Sequence, residues 1–115
     1  MLKILSCDFH FNDDRGSLIQ LVHSGYRQVN VITSKKGAFR GGHFHKQNEE
    51  AFYVVSGALE LLVDGQVHTF GQGDFFGIEP FDLHSFRFLE DTVLVSMYSQ
   101  GVELEDGSKD IYAGG

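Results

Sequence analysis

No stretch of this chain repeats its apolar residues with the 3.6-residue spacing of an amphipathic helix, and turn signals recur every several residues instead. The sharpest is Asp64-Gly65, set between Leu61-Leu62-Val63 and Gln66-Val67-His68, which predicts a two-residue hairpin. Further turns are expected at Asn12-Asp13-Asp14-Arg15-Gly16, Lys35-Lys36-Gly37, Gly71-Gln72-Gly73-Asp74, Pro80-Phe81-Asp82-Leu83 and Glu90-Asp91. Between them, short apolar or β-branched runs predict strands over residues 2–7, 9–11, 17–22, 29–33, 41–45, 50–56, 58–63, 66–68, 75–78, 84–89 and 92–98. Fourteen glycines against one proline agree with a protein made of strands and tight turns. The expected class is all-β, a closed sandwich or barrel that can hold one ligand in its mouth.

At 115 residues the chain is expected to form one domain over 1–115 with a core of its own. Eleven Phe and no Trp imply an interior built on phenylalanine. From Gln100 onward the chain is polar and Gly-rich, and its composition does not predict an ordered element. The formal net charge of −7 argues against nonspecific nucleic-acid binding, so an anionic ligand would need local Arg or Lys. Cys7 is the only cysteine, which excludes an intrachain disulfide and reads as a small apolar residue. The N-terminal run is too short for a secretory signal, and no apolar run reaches the roughly 20 residues of a membrane span. The expected setting is cytoplasmic, with no membrane partner.

Chemistry concentrates between Gly37 and Gly57. His43 and His45 are two apart on an expected strand, so their imidazoles share a face. Glu50 opens the next apolar run, and its neighbour Glu49 competes for the same role. Two His and a Glu on adjacent strands suit either metal binding or proton transfer. Gly41-Gly42 predicts a close backbone approach. The plainer reading of Arg15 is a turn residue paired with Asp13 or Asp14, and that of Arg40 and Lys46 is surface charge. His10, His23 and His68 are isolated and read as surface or packing residues.

The pattern Gly37, His43-x-His45, Glu50, Gly57 resembles the first cupin motif. Gly73, Pro80 and His84 resemble the second, with Asp82 in place of a Gly and one residue fewer before the His. The resemblance implies a double-stranded β-helix, the cupin jelly-roll barrel. More narrowly, Phe11-Asn12-Asp13-Asp14-Arg15-Gly16 is similar to the opening of cupins that act on nucleotide-linked deoxysugars. Arg40-Gly41-Gly42-His43-Phe44-His45-Lys46 resembles a run in dTDP-4-keto-6-deoxyhexose 3,4-ketoisomerases. That likeness implies metal-free acid/base catalysis, with His45 as base and His43 as its proton relay. Arg15, Arg40 and Lys46 would bind the sugar or its diphosphate, and the protein would be a homodimer with a nucleotide-sugar substrate in deoxysugar or polysaccharide biosynthesis.

Asn48-Glu49-Glu50-Ala51-Phe52 is also similar to the zinc-bearing cupin of capsule-sugar reductases. That alternative implies a metal site of His43, His45, Glu50 and His84 holding Zn, Mn, Fe or Ni, in a dioxygenase or a small-molecule isomerase. A non-catalytic ligand-binding cupin is the third reading, since one fold hosts many functions.

Overall fold

The computed structural model describes residues 1–114, and they form twelve strands and no helix. In chain order these are β1 (Lys3–Ile4), β2 (Phe9–Asp13), β3 (Gly16–Gln20), β4 (Gln28–Ser34), β5 (Phe39–Phe44) and β6 (Glu50–Ser56), followed by β7 (Ala58–Val63), β8 (Gln66–Gly71), β9 (Phe75–Ile78), β10 (His84–Phe88), β11 (Thr92–Tyr98) and β12 (Tyr112–Ala113). One five-stranded sheet runs β1-β9-β6-β11-β4 and a second runs β12-β5-β10-β7-β8. Their pairings are antiparallel throughout. Non-consecutive neighbours such as β6 and β11, or β5 and β10, give the crossed connectivity of a jelly roll.

Alternation along each strand builds the core between the two sheets. Leu59, Leu61 and Val63 point inward from β7, Phe86 and Phe88 from β10, and Phe52 and Val54 from β6. Phe70 and Phe76 stack at 4.0 Å between ring centroids, so the interior is a phenylalanine core, as composition implied. The first sheet is also covered on part of its outer face, although Val29 and Val31 of β4 stay exposed. There Leu5, Leu21, Val22 and Tyr26 pack on Ala51, Phe75 and Met97. β1 is only two residues long, and the Leu5 N–H beyond it still donates to the Phe75 carbonyl of β9 at 2.9 Å while the Leu5 side chain packs on that outer face.

The Asp64-Gly65 hairpin forms as expected. Asp64 and Gly65 have φ of 55° and 72°, the two positive values of a type I′ turn, and Val63 pairs with Gln66. Gly57 has φ of 96°, and a Cβ there would stand 2.4 Å from Thr92 Oγ1 and 2.5 Å from the Asp91 carbonyl. Gly57→Ala is therefore expected to lose at least ~2 kcal/mol, seen as a lower urea midpoint at an unchanged slope.

The strands and turn expected around Asn12 to Gly16 form but stand apart from both sheets, and the tail holds an element that composition did not predict. Hairpin β2–β3 pairs only with itself and leaves Phe9, Phe11, Leu18 and Ile19 exposed. The segment after Gln100 returns to the body, where β12 pairs with β5 through Tyr112–Phe44 and Ala113–His43.

Candidate functional site

The site is assembled where β5 and β10 pair. His43 and His84 are direct cross-strand partners, and the register then slips by a bulge between His84 and Ser85. Gly41 permits this. Its φ is 108°, and a Cβ would lie 2.7 Å from both the His84 carbonyl and Ser85 Cα. The close approach expected at Gly41-Gly42 therefore occurs at Gly41, onto β10, while a Cβ at Gly42 would meet nothing within 4 Å. His45 lies just past the end of β5 and Glu50 opens β6, so three histidines and a carboxylate converge at one end of the barrel.

Their separations are short. One nitrogen from each of His43, His45 and His84 can be chosen so that all three lie within 4.8 Å of one another. Glu50 Oε1 lies 3.0 Å from His45 Nε2 and 3.6 Å from His84 Nε2. His45 and His84 are each 1% exposed and Glu50 is 4% exposed, whereas His43 is half-buried. Glu49 is exposed, and its backbone N–H donates to Ser99 Oγ, which leaves Glu50 as the inward carboxylate.

Two backbone carbonyls set the ring states. His84 Nδ1 lies 2.9 Å from the Asp82 carbonyl and His45 Nδ1 lies 2.6 Å from the Asp110 carbonyl. A carbonyl only accepts, so both rings carry hydrogen on Nδ1. Each Nε2 then faces the cluster. His84 Nε2 is buried without a hydrogen-bond partner among the described residues.

Burial drives the His84 pKa down to about 4, so this ring is neutral near pH 7 and its Nε2 presents a bare lone pair. Burial, with His45 beside it, also holds His43 below the ordinary imidazole value. For His45, burial opposes the charged form, but the Glu50 contact and the Asp110 carbonyl outweigh it and raise its pKa. Burial pushes the Glu50 carboxyl up against the pull of His45. Glu50 Oε1 and His45 Nε2 therefore share one proton.

A cavity of about 380 Å³ opens beside the cluster. Among its lining residues are His43, Glu50, His84, Arg40 and Tyr98, with Phe52 and other core side chains closing its inner end. His45 is not among the lining residues; its ring sits against Tyr98, with centroids 5.2 Å apart. Burial and the Glu50 carboxylate hold the Tyr98 phenol well above its usual value, so it remains a neutral donor. Arg40 is oriented at the rim by Nε donating to Ser34 Oγ at 2.8 Å and Nη2 to the Thr33 carbonyl at 3.1 Å.

The other two cations named from sequence lie elsewhere. Lys46 points away from the cavity lining, with Nζ 4.2 Å from the Tyr112 ring centroid. Arg15 is exposed on hairpin β2–β3 and forms an ion pair with Asp13 at 2.6 Å, as its plainer reading had it. Sequence reasoning missed Tyr98 as a site residue. Its only signal was position, as the last residue of an apolar strand whose paired neighbour proves to be Glu50.

No curated protein sequence matches this chain. Solved structures do. A 3,4-ketoisomerase from Helicobacter canadensis superimposes with a TM-score of 0.80 at 23% identity, over 96% of this chain and 89% of that one. QdtA, a sugar 3,4-ketoisomerase from Thermoanaerobacterium thermosaccharolyticum solved with TDP, gives 0.76 at 17%, over 96% and 86%. A dTDP-4-dehydrorhamnose 3,5-epimerase from Sulfolobus tokodaii gives 0.66 at 22%; the match covers 77% of this chain and spans 65% of that one. At these identities the likeness establishes the fold. The family model for the cupin domain matches residues 30–99, more than half of the sequence and all of β5 to β11. This chain belongs to the cupin domain family.

Proposed function

We propose that this protein is a sugar-nucleotide isomerase or epimerase that moves a proton alpha to a keto group of a dTDP-linked deoxysugar. The observation that carries the reading is the cavity itself, where an uncharged imidazole, a neutral phenol and a guanidinium border one space. The resemblance of the sequence to ketoisomerases and the names of the structural neighbours support the substrate class.

In this reading the C–H bond alpha to the carbonyl breaks and its proton passes to His43. The electron pair becomes the C=C bond of an enediolate, and negative charge develops on the former keto oxygen. Tyr98 supplies a donor that stabilises such an oxygen. When the hydroxyl proton of the alpha carbon passes to the former keto oxygen and a proton returns to the former carbonyl carbon, the isomerised ketone results; return to the alpha carbon from the other face gives the epimer. His43 rather than His45 is assigned the base, because His45 is sealed between Glu50 and the Asp110 carbonyl. Arg40 is assigned to the diphosphate, for which a planar guanidinium is suited; Lys46 and Arg15 are not needed for this step. The test is incubation with TDP-4-keto-6-deoxyglucose in deuterated water. Deuterium at a ring carbon next to the ketone is expected. The proposal fails if no deuterium enters and neither TDP- nor UDP-linked sugars bind.

A second reading, a metal-dependent cupin enzyme, is favoured by the orphaned His84 Nε2. A ring fixed through Nδ1 to a carbonyl, with a bare Nε2 directed at a carboxylate, fits a metal ligand. His43, His45, Glu50 and His84 would hold a divalent ion, which when bound would polarise a substrate carbonyl oxygen. The two readings divide on His43, a free base in one and a ligand in the other.

Hairpin β2–β3, with its exposed apolar side chains, supports a homodimer in which a second copy covers them. Sedimentation at micromolar concentration would then give twice the chain mass. A cytoplasmic setting fits a nucleotide-sugar substrate.

A further inference from the structure

We infer that Asp110 is a positioning residue which, from the C-terminal segment, fixes the ring orientation and proton position of His45. The inference rests on the proposed role of the histidine cluster, and its first readout does not require turnover.

Asp110 is fully buried although it lies in a polar tail. Its carboxylate is a three-donor clamp. Oδ1 accepts from the Lys46 backbone N–H at 2.8 Å, and Oδ2 accepts from the Gln47 backbone N–H at 2.9 Å and from Asn48 Nδ2 at 2.8 Å. These are the residues that follow His45. The carbonyl of the same Asp110 accepts from His45 Nδ1 at 2.6 Å. One residue therefore holds both the ring and the loop that carries it.

The clamp is itself anchored on both sides. The Asp110 N–H donates to the Val102 carbonyl at 2.7 Å. Asn48, 1% exposed, accepts from the N–H groups of Gln100 and Gly101 and donates to the Gly101 carbonyl. Beyond Asp110, β12 pairs with the backbone of His43 and Phe44, and the Gly114 N–H donates to the Gly42 carbonyl at 2.9 Å.

A buried carboxylate is costly unless its acceptors are filled, and here each oxygen is. Burial opposes its charge, yet the donors from Lys46, Asn48 and Gln47 hold the Asp110 carboxyl below its usual value, so it stays ionised near pH 7. Packing alone does not require that arrangement, because an apolar residue would fill the same volume. What it secures is the carbonyl against Nδ1. With hydrogen held on Nδ1, Nε2 is the nitrogen committed to Glu50 and the cluster. His84 is set the same way by the Asp82 carbonyl, so the two rings are matched by independent parts of the chain.

The test is nitrogen-15 histidine NMR on the full chain, kept metal-free with chelator and assigned through His45→Gln. In the wild type, His45 Nδ1 should carry a proton whose resonance exchanges slowly with water. In Asp110→Ala the carbonyl remains but its clamp is gone. The His45 signal should then broaden or exchange at least tenfold faster, while the His84 signal is unchanged. A wild-type His45 protonated on Nε2 alone, or an Asp110→Ala spectrum identical to wild type, overturns the inference. If Asp110→Ala does not fold, Asn48→Ala, which removes one of the three donors, must speed the same exchange or the inference is lost. Should deuterium incorporation be confirmed, Asp110→Ala should lower kcat roughly 10- to 100-fold with KM within threefold. Absence of turnover in the wild type would count against the proposed reaction and leave the NMR result standing.

Discussion

His43→Asn is expected to reduce deuterium incorporation into a keto-sugar substrate by about 10³-fold while leaving KM within threefold. Asparagine keeps polarity and much of the volume but cannot take a proton. Loss of a positioned general base costs roughly 10² to 10⁴ in rate, and the middle of that span is about 4 kcal/mol of barrier. Substrate binding should survive because the cavity walls are contributed mostly by other residues, among them Arg40, Phe52, Phe86 and Tyr98.

The pH dependence has a definite sign. Burial and the neighbouring His45 hold His43 below the ordinary imidazole value. The base form therefore dominates at pH 7, and kcat/KM should fall on the acid side with an inflection below about 6.5. His45→Asn separates the two possible bases. If it abolishes exchange while His43→Asn keeps most of its rate, the base is His45 and the assignment made from burial is wrong. A smaller loss in His45→Asn, through misorientation of Glu50, fits the arrangement in which His45 and Glu50 share a proton.

How far such a site can be read from sequence depends on the range of the contacts that make it. Asp64-Gly65 was legible because a type I′ turn is decided by two residues. His43 and His45 were legible because strand alternation fixes which side chains share a face. Glu50 could not be separated from Glu49 until β6 paired with β9 and β11, since a shift of one residue exchanges the inward and outward carboxylates. Tyr98 and Asp110 were not legible at all. Tyr98 reaches the cavity through its pairing with Glu50, and Asp110 reaches His45 across 65 residues of chain. Neither contact leaves a periodic trace.

The polar, Gly-rich composition after Gln100 hid an element of two residues that forms only because β5 offers an edge to pair with. The cations went the other way. Arg15, Arg40 and Lys46 looked equivalent as charges beside a motif, but the β5 bulge opposite His84 and Ser85 puts Arg40 at the cavity rim beside His43, Lys46 lies past the end of β5 with Nζ over Tyr112, and Arg15 is held by Asp13 on its own hairpin.

The metal reading makes the other large prediction, and it turns on His84. A buried Nε2 without a partner costs on the order of 1–3 kcal/mol, and a divalent ion would convert that cost into a bond. Saturating the protein with Zn, Mn, Fe or Ni should bind about one ion per chain, and at a free concentration a hundred times Kd it should add about 2.7 kcal/mol. For a domain of this size that is on the order of 10 °C in Tm. His84→Leu separates this from ordinary stabilisation. It removes the orphaned nitrogen and the hydrogen bond to Asp82 together, and leucine is accommodated against Phe52 and Phe86, which already flank the ring at 6.5 and 6.1 Å. The metal-free variant should stay within about 1 kcal/mol of wild type, because relief of the unsatisfied group offsets the lost hydrogen bond. The gain from added ion should nonetheless disappear, as it should in Glu50→Ala. If none of the four ions raises Tm or binds stoichiometrically to the wild type, the cluster is not a metal centre, and the neutral His84 serves only to keep the cavity uncharged around His43.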